Sequence, residues 1–243
     1  MTTDLSRGGN SLDGAANRFS NWLASVEGHI DNPWVMYYVV RSGVPFSLEQ
    51  AMTSAGAAAV ECVERFAREE RFAAAFEAWH ERPRKVALRA DEAEFAQVKG
   101  EEPCAVEQEV LLCLPPRRRS DRSSLLEALQ PFTDAPRPKD TEQDDRSPTM
   151  TYVIRRGVMR TAGKAMAQAG HAALMCVGQL GAAHKERFDA WRAAGRPGEL
   201  LTEGWGRFRD DPEAVTVSDA GHTQVAPGTE TVIALVPAPR GSR

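Results

Sequence analysis

No run of about eighteen apolar residues occurs in the 243-residue chain, so no membrane-spanning helix and no membrane partner are expected. The opening residues, MTTDLSRGGNSLDG, are polar and lack the apolar core of a signal peptide, which points to a cytoplasmic protein. The four cysteines (Cys62, Cys104, Cys113 and Cys176) form no C-x-x-C pair and have no histidine at zinc-ligand spacing, which argues against a structural zinc or a disulfide framework. No G-x-S-x-G occurs, and no serine or cysteine stands beside a catalytic histidine motif, so a covalent acyl-enzyme mechanism is not expected. Neither a metal nor an organic cofactor is called for.

What the chain does have is an internal repeat, which decides the fold reading. Residues 36–63 and 150–177 align without gaps, Arg41 falling on Arg155. Met, Tyr, Val, Arg, Gly and Val recur in the first part, and Ala, Met, Ala, Gly, Ala, Ala, Cys and Val in the second. A β-branched and aromatic run, VMYYVVRSGV in one copy and TYVIR in the other, predicts a buried strand. The residues that follow carry apolar side chains at helical spacing: in the second copy Met166, Ala169, Ala173, Cys176 or Val177, and Leu180 read as one stripe. Two later echoes follow. Phe76-Glu-Ala-Trp79 matches Phe188-Asp-Ala-Trp191, and the closing strand Val110–Pro115 matches Val232–Pro237.

The expected fold is therefore α/β: two tandem three-layer units, each a small mixed sheet of about four strands with helices on both faces. The divisions are a mobile tail over residues 1–33, a first unit over 34–116, a linker over 117–149 with a short helical piece at Ser123–Leu129 and a flexible Pro- and Asp-rich part from about Pro131 to Thr149, and a second unit over 150–243. The net charge of −4 divides unevenly, −7 over residues 1–149 and +3 over 150–243. If either half meets a nucleic acid through charge, it is the second.

The two copies differ where polar chemistry would sit. Lys164, Gln168 and His171 of the second copy stand opposite Gln50, Ser54 and Ala57 of the first. Thr161 is suited to cap the second helix, which places Lys164 in its first turn. A helix dipole disfavours a cation there, unless the cation and the free N–H groups together meet an anion. A plain surface lysine is the alternative. In the first copy Ser47 and Gln50 make an S-x-x-Q capping box, which accounts for Gln50 structurally.

A second polar stretch, VTVSDAGHTQVAPGTETVIALVP, covers residues 215–237. Its two strand-like runs flank a loop that brings Asp219, Thr223 and Thr231 toward the start of the helix if the strands are neighbours in the sheet. An aspartate, a lysine and two hydroxyls can hold a water and polarise an ester carbonyl. An Asx turn made by Asp219, with the threonines as ordinary strand residues, is the alternative. The first copy has no such loop.

The helix motif and the D-A-G-x-T-Q-x-A-P-G-x-x-T-V loop together resemble the archaeal and eukaryotic type of peptidyl-tRNA hydrolase, over roughly residues 150–238. The resemblance implies a compact α/β fold and metal-free cleavage of the ester between a peptide and the tRNA 3′ end. It places the family's catalytic residues on Lys164, Asp219, Thr223 and Thr231. It places substrate contacts on Gln168, His171, His222, Gln224 and Gly228. Two departures stand out: the turn Gly157–Lys164 lacks the family's acidic residue and one lysine, and His222 replaces an arginine. The implied partner is tRNA, and the chain is expected to be a monomer with an internal pseudo-dimer, or a homodimer. The rival readings are an RNA-binding protein that has lost turnover and a hydrolase of another ester or amide.

Overall fold

The computed structural model describes residues 32–135, 147–221 and 225–242. The tail expected over 1–33 lies outside the described residues apart from 32 and 33, as do 136–146 of the expected linker.

The first unit begins with β1 (Trp34–Arg41), whose near-continuous apolar run is buried on both faces. The long helix α1 (Leu48–Phe66) opens on the expected capping box, with the Gln50 amide donating to Ser47 Oγ at 3.1 Å and the Ser47 amide donating back to Gln50 Oε1 at 2.9 Å. There follow α2 (Glu70–Glu81), β2 (Lys85–Ala90), α3 (Glu92–Glu101), β3 (Val106–Gln108) and β4 (Leu111–Arg118). The short helix expected near Ser123–Leu129 is present, and it is joined to the first unit more closely than a linker would be. This helix, α4 (Ser124–Ala128), capped by Ser123, and a two-residue strand β5 (Gln130–Pro131) pack back on the first sheet. Leu126 and Leu129 are buried under that sheet, so residues this far along belong to the first core.

The second unit repeats the order: β6 (Pro148–Ile154), α5 (Ala162–Leu180), α6 (Lys185–Ala193), β7 (Gly198–Leu201), α7 (Trp205–Phe208), β8 (Ala214–Ser218) and β9 (Glu230–Pro239). The sheets run β3-β4-β1-β2-β5 and β7-β6-β9-β8. In each, the first two strands are parallel and the closing strand lies antiparallel beside the first. Even an irregularity recurs: the register shifts between Val35 and Tyr37 in one sheet and between Thr149 and Thr151 in the other, positions that the repeat equates. The Phe–Trp pairs are also alike, at 6.4 and 6.2 Å between ring centroids, and each indole donates at 2.8 Å to a backbone carbonyl, of Arg84 or of Pro197. Helices cover both faces of each sheet, as expected for two mixed α/β units.

Two details correct the sequence alignment. Val40 pairs with Leu111 and Ile154 with Val232, so Leu111, not Val110, is the counterpart of Val232. Aligning the strands on Pro115 and Pro237 slips the register by one residue, which turns every side chain to the opposite face. The apolar stripe of α5 also divides in two. Ala169, Ala173 and Cys176 face their own sheet, whereas Met166 enters the core of the first unit. Met52 of α1 reciprocates by entering the core of the second.

These exchanged methionines mark the contact between the units, where α1 and α5 pack against each other. Their close approach rests on two glycines. A Cβ on Gly56 would lie 1.9 Å from the Tyr152 hydroxyl, and one on Gly170 would lie 2.0 Å from the Tyr38 hydroxyl. Ion pairs join the units around this seam: Glu64 with Arg192 and Arg196, Glu61 with Arg196, and Glu49 with Arg240. The acidic excess of the first unit and the basic excess of the second thus partly neutralise one another across the interface.

Gly56→Ala is expected to destabilise the chain. Overpacking against the buried Tyr152 costs about 1–3 kcal/mol, against the roughly 1 kcal/mol that alanine gains in a helix interior. Denaturant unfolding of Gly56→Ala, and of the same change with Tyr152→Phe, checks this; removal of the hydroxyl should restore most of the loss.

Candidate active site

Thr161 caps α5 as its sequence position suggests, its Oγ1 accepting from the Lys164 amide at 3.3 Å. Lys164 therefore sits in the first turn, with Gln168 and His171 further along the same side of the helix. The strand pair β8–β9 supplies the facing residues, because β9 lies between β6 and β8 and its start comes level with the helix N-terminus.

The geometry brings four of the expected residues into one chain of contacts. Asp219 Oδ2 accepts from Lys164 Nζ and, at 2.8 Å, from Gln168 Nε2. Gln168 Oε1 accepts from the Thr231 hydroxyl at 2.8 Å, and that hydroxyl also approaches the Val217 carbonyl at 3.2 Å. The other carboxylate oxygen, Asp219 Oδ1, accepts from the Gly221 amide at 2.7 Å. The Asx turn expected of Asp219 is present: one oxygen makes the turn that shapes the loop, and the other pairs with the lysine. The Gly228 amide donates to the Asp219 carbonyl at 2.7 Å, with Gly228 at φ +78°, so this glycine tightens the loop base.

Exposure sorts these groups. The side chain of Lys164 is 12% exposed and that of Asp219 5%. Thr231 and Gln168 are buried. Thr231 therefore holds Gln168, and Gln168 holds Asp219, from behind, while Lys164 and His171 keep partial exposure. His222, Thr223 and Gln224 lie outside the described residues. Arg155, Arg156 and Arg160 are exposed on the turn that leads into α5. Among the described residues no group of three or more metal-ligating side chains converges, and no helix is long and apolar enough to cross a membrane.

The first unit keeps a faint copy of this arrangement. Gln50, opposite Lys164, donates to Glu109 at 2.8 Å from the short turn between β3 and β4. Val110 replaces Thr231, and the backbone carbonyl of each accepts from the matching arginine amide, Arg41 or Arg155, at 3.0 Å. An amide has taken the place of the cation.

One residue near the site was not singled out in the sequence. Lys85, at the start of β2 in the first unit, places its Nζ 2.9 Å from His171 Nδ1 and 4.6 Å from the centre of the Trp79 ring. Burial pushes its ammonium down to about 7, opposed in part by the Cys113 and Cys62 thiols. Burial, and then the charges of Lys85 and Lys164, hold the His171 imidazole well below its usual range. The available signal was a basic residue opening an apolar central strand, in RKVALRA.

Thr231→Val is expected to lower stability by about 1–3 kcal/mol, because it leaves Gln168 Oε1 buried without its donor. Thr231→Ser, which keeps the hydroxyl, should cost much less; urea unfolding of both variants measures the difference.

Comparison with known proteins agrees with this geometry. The family described as "Peptidyl-tRNA hydrolase PTH2" matches residues 149–202 and 210–242, both within the second unit. A peptidyl-tRNA hydrolase of Pyrobaculum aerophilum is 37% identical over 108 residues, covering 37% of this chain and 84% of that protein. The mitochondrial peptidyl-tRNA hydrolase 2 of Homo sapiens is 27% identical over 104 residues, covering 37% of this chain and 55% of that protein. By this likeness, and by the Lys164–Asp219 site that lies within it, the chain belongs to the PTH2 family of peptidyl-tRNA hydrolases.

Proposed function

We propose that the second unit hydrolyses the ester that joins a peptide, or an N-blocked amino acid, to the 3′ end of tRNA. The Lys164–Asp219 pair carries this reading: a buried carboxylate fixed by three donors holds a less buried ammonium at the start of α5. Preorganised charge of this kind suits an oxyanion that develops on an ester carbonyl. Lys164 turns to the carbonyl oxygen as the substrate enters. Asp219 Oδ2, released from that contact, accepts the proton of the attacking water. The tetrahedral intermediate then collapses, expelling the ribose hydroxyl of the tRNA end, which recovers a proton from the same pair. Gln168 and Thr231 keep Asp219 aligned throughout. Arg155, Arg156 and Arg160 stand where the phosphates of a tRNA end would approach Lys164.

The first unit, on this reading, is a non-catalytic partner occupying the face that a second subunit would otherwise cover. Its long helix packs on α5, and its own polar site has become Gln50 and Glu109. A single chain of 26.6 kDa is the expected solution species, which light scattering measures directly. A stable dimer would remove the reason for this assignment.

Release of tRNA from an N-blocked aminoacyl-tRNA tests the activity, with Lys164→Ala and Asp219→Asn alongside. The asparagine keeps an oxygen for the Gly221 amide, so loss of activity is separated from loss of the turn. Lys164→Ala is expected to lower kcat by about 10²–10³-fold, as removal of one oxyanion donor does, and Asp219→Asn by about 10²–10⁴-fold, as loss of a general base does. Salt-sensitive binding without cleavage by the wild type would select an RNA-binding protein instead.

A further inference from the structure

Lys85 is an expensive residue for a core. Its side chain is buried in the first unit, and among the described residues no carboxylate pairs with it. A buried ammonium without a counter-ion costs several kcal/mol of desolvation, of which a cation–π contact returns about 2 kcal/mol at most. An apolar side chain of similar length would fill the same space at no such cost. The stem of Lys85 packs within 3.1 Å of where a Cβ on Gly170 would stand, so the missing side chain at Gly170 makes room for it. It reaches out of its own unit to a histidine that the first unit lacks, since Ala57 occupies the equivalent position.

We propose that Lys85 of the first unit is a positioning residue for the reaction of the second, holding His171 in the tautomer whose proton is on Nε2. The hydrogen-bonding chemistry gives the direction. While Lys85 is an ammonium, below the value of about 7 to which burial lowers it, it has three donors and no acceptor, so at 2.9 Å the Nδ1 atom of His171 accepts. A neutral imidazole that accepts at Nδ1 carries its hydrogen on Nε2. Burial and two neighbouring cations keep the ring neutral, in agreement with this assignment. His171 follows Lys164 and Gln168 by successive turns of α5 and keeps partial exposure, so an Nε2–H there is a neutral donor on the substrate side of the helix. Lys85 thus acts through His171 and need not touch the substrate. The inference rests on the hydrolase reading only for its kinetic part.

The test uses the full chain with ¹⁵N-labelled histidine, in wild type and in Lys85→Met, with His171→Gln to assign the signal. At about pH 6, below the value of about 7 for Lys85 and above the lowered range of the imidazole, wild-type His171 is expected to show a protonated Nε2 and an unprotonated Nδ1. Lys85→Met should shift the ring to a mixture of tautomers. It should also lower kcat on N-blocked aminoacyl-tRNA by about tenfold with KM little changed, the scale on which such outer partners act. Its melting temperature should be equal or higher, because an unpaired buried charge is gone. A wild-type ring protonated on Nδ1 would overturn the proposal even if Lys85→Met failed to fold. So would a variant that keeps the wild-type tautomer, or one whose tautomer shifts with no change in kcat. Failure of the wild type to cleave the substrate would instead overturn the hydrolase reading, while the tautomer measurement still decides whether Lys85 fixes the ring.

Discussion

The close packing of α1 on α5 is the constraint from which the rest of the molecule follows. Two helices approach this tightly only where side chains are small, and here Gly56 and Gly170 each receive the tyrosine hydroxyl of the opposite unit. The alanines around them leave room for Met52 and Met166 to enter each other's cores. Each long helix is consequently apolar on two sides, and the chain has one continuous interior built from two sheets. The position of Lys164 is a product of the same packing, because the helix that carries it is held from both sides and its first turn is level with the start of β9.

Much of this was legible in the residues. The repeat gave the common topology, since strand, helix and aromatic pair recur with their spacing, and the sheets do share one strand order. Capping at Thr161 and at Ser47 followed from local chemistry that needs no tertiary context. The convergence of Lys164, Gln168, Asp219 and Thr231 required only that β8 and β9 be neighbours.

What the residues did not disclose lies almost wholly between the units. Periodicity marks Met166 as apolar but cannot say which of two cores receives it. Proline is a poor anchor for strand register, and the match of Pro115 to Pro237 hid the true pairing by one residue. The charge imbalance suggested a nucleic-acid surface, whereas Arg192, Arg196 and Arg240 meet glutamates of the first unit. The resemblance put Thr231 among the catalytic residues and Gln168 among the substrate contacts; that both are buried behind Asp219 could not be read from their types. Lys85 stayed hidden because its partner stands 86 positions away in the other copy.

The pairing of Lys85 with His171 has no mirror image. The register equates Lys85 with Gly198, which lies against Thr53. In an assembly of two identical chains every substitution is made twice, so a cation introduced to serve one centre would also be forced into the opposite seam. Joining the halves covalently lifts that restriction. Each side of the seam can then drift toward its own task, and one half becomes a scaffold whose residues are selected for what they do to the other.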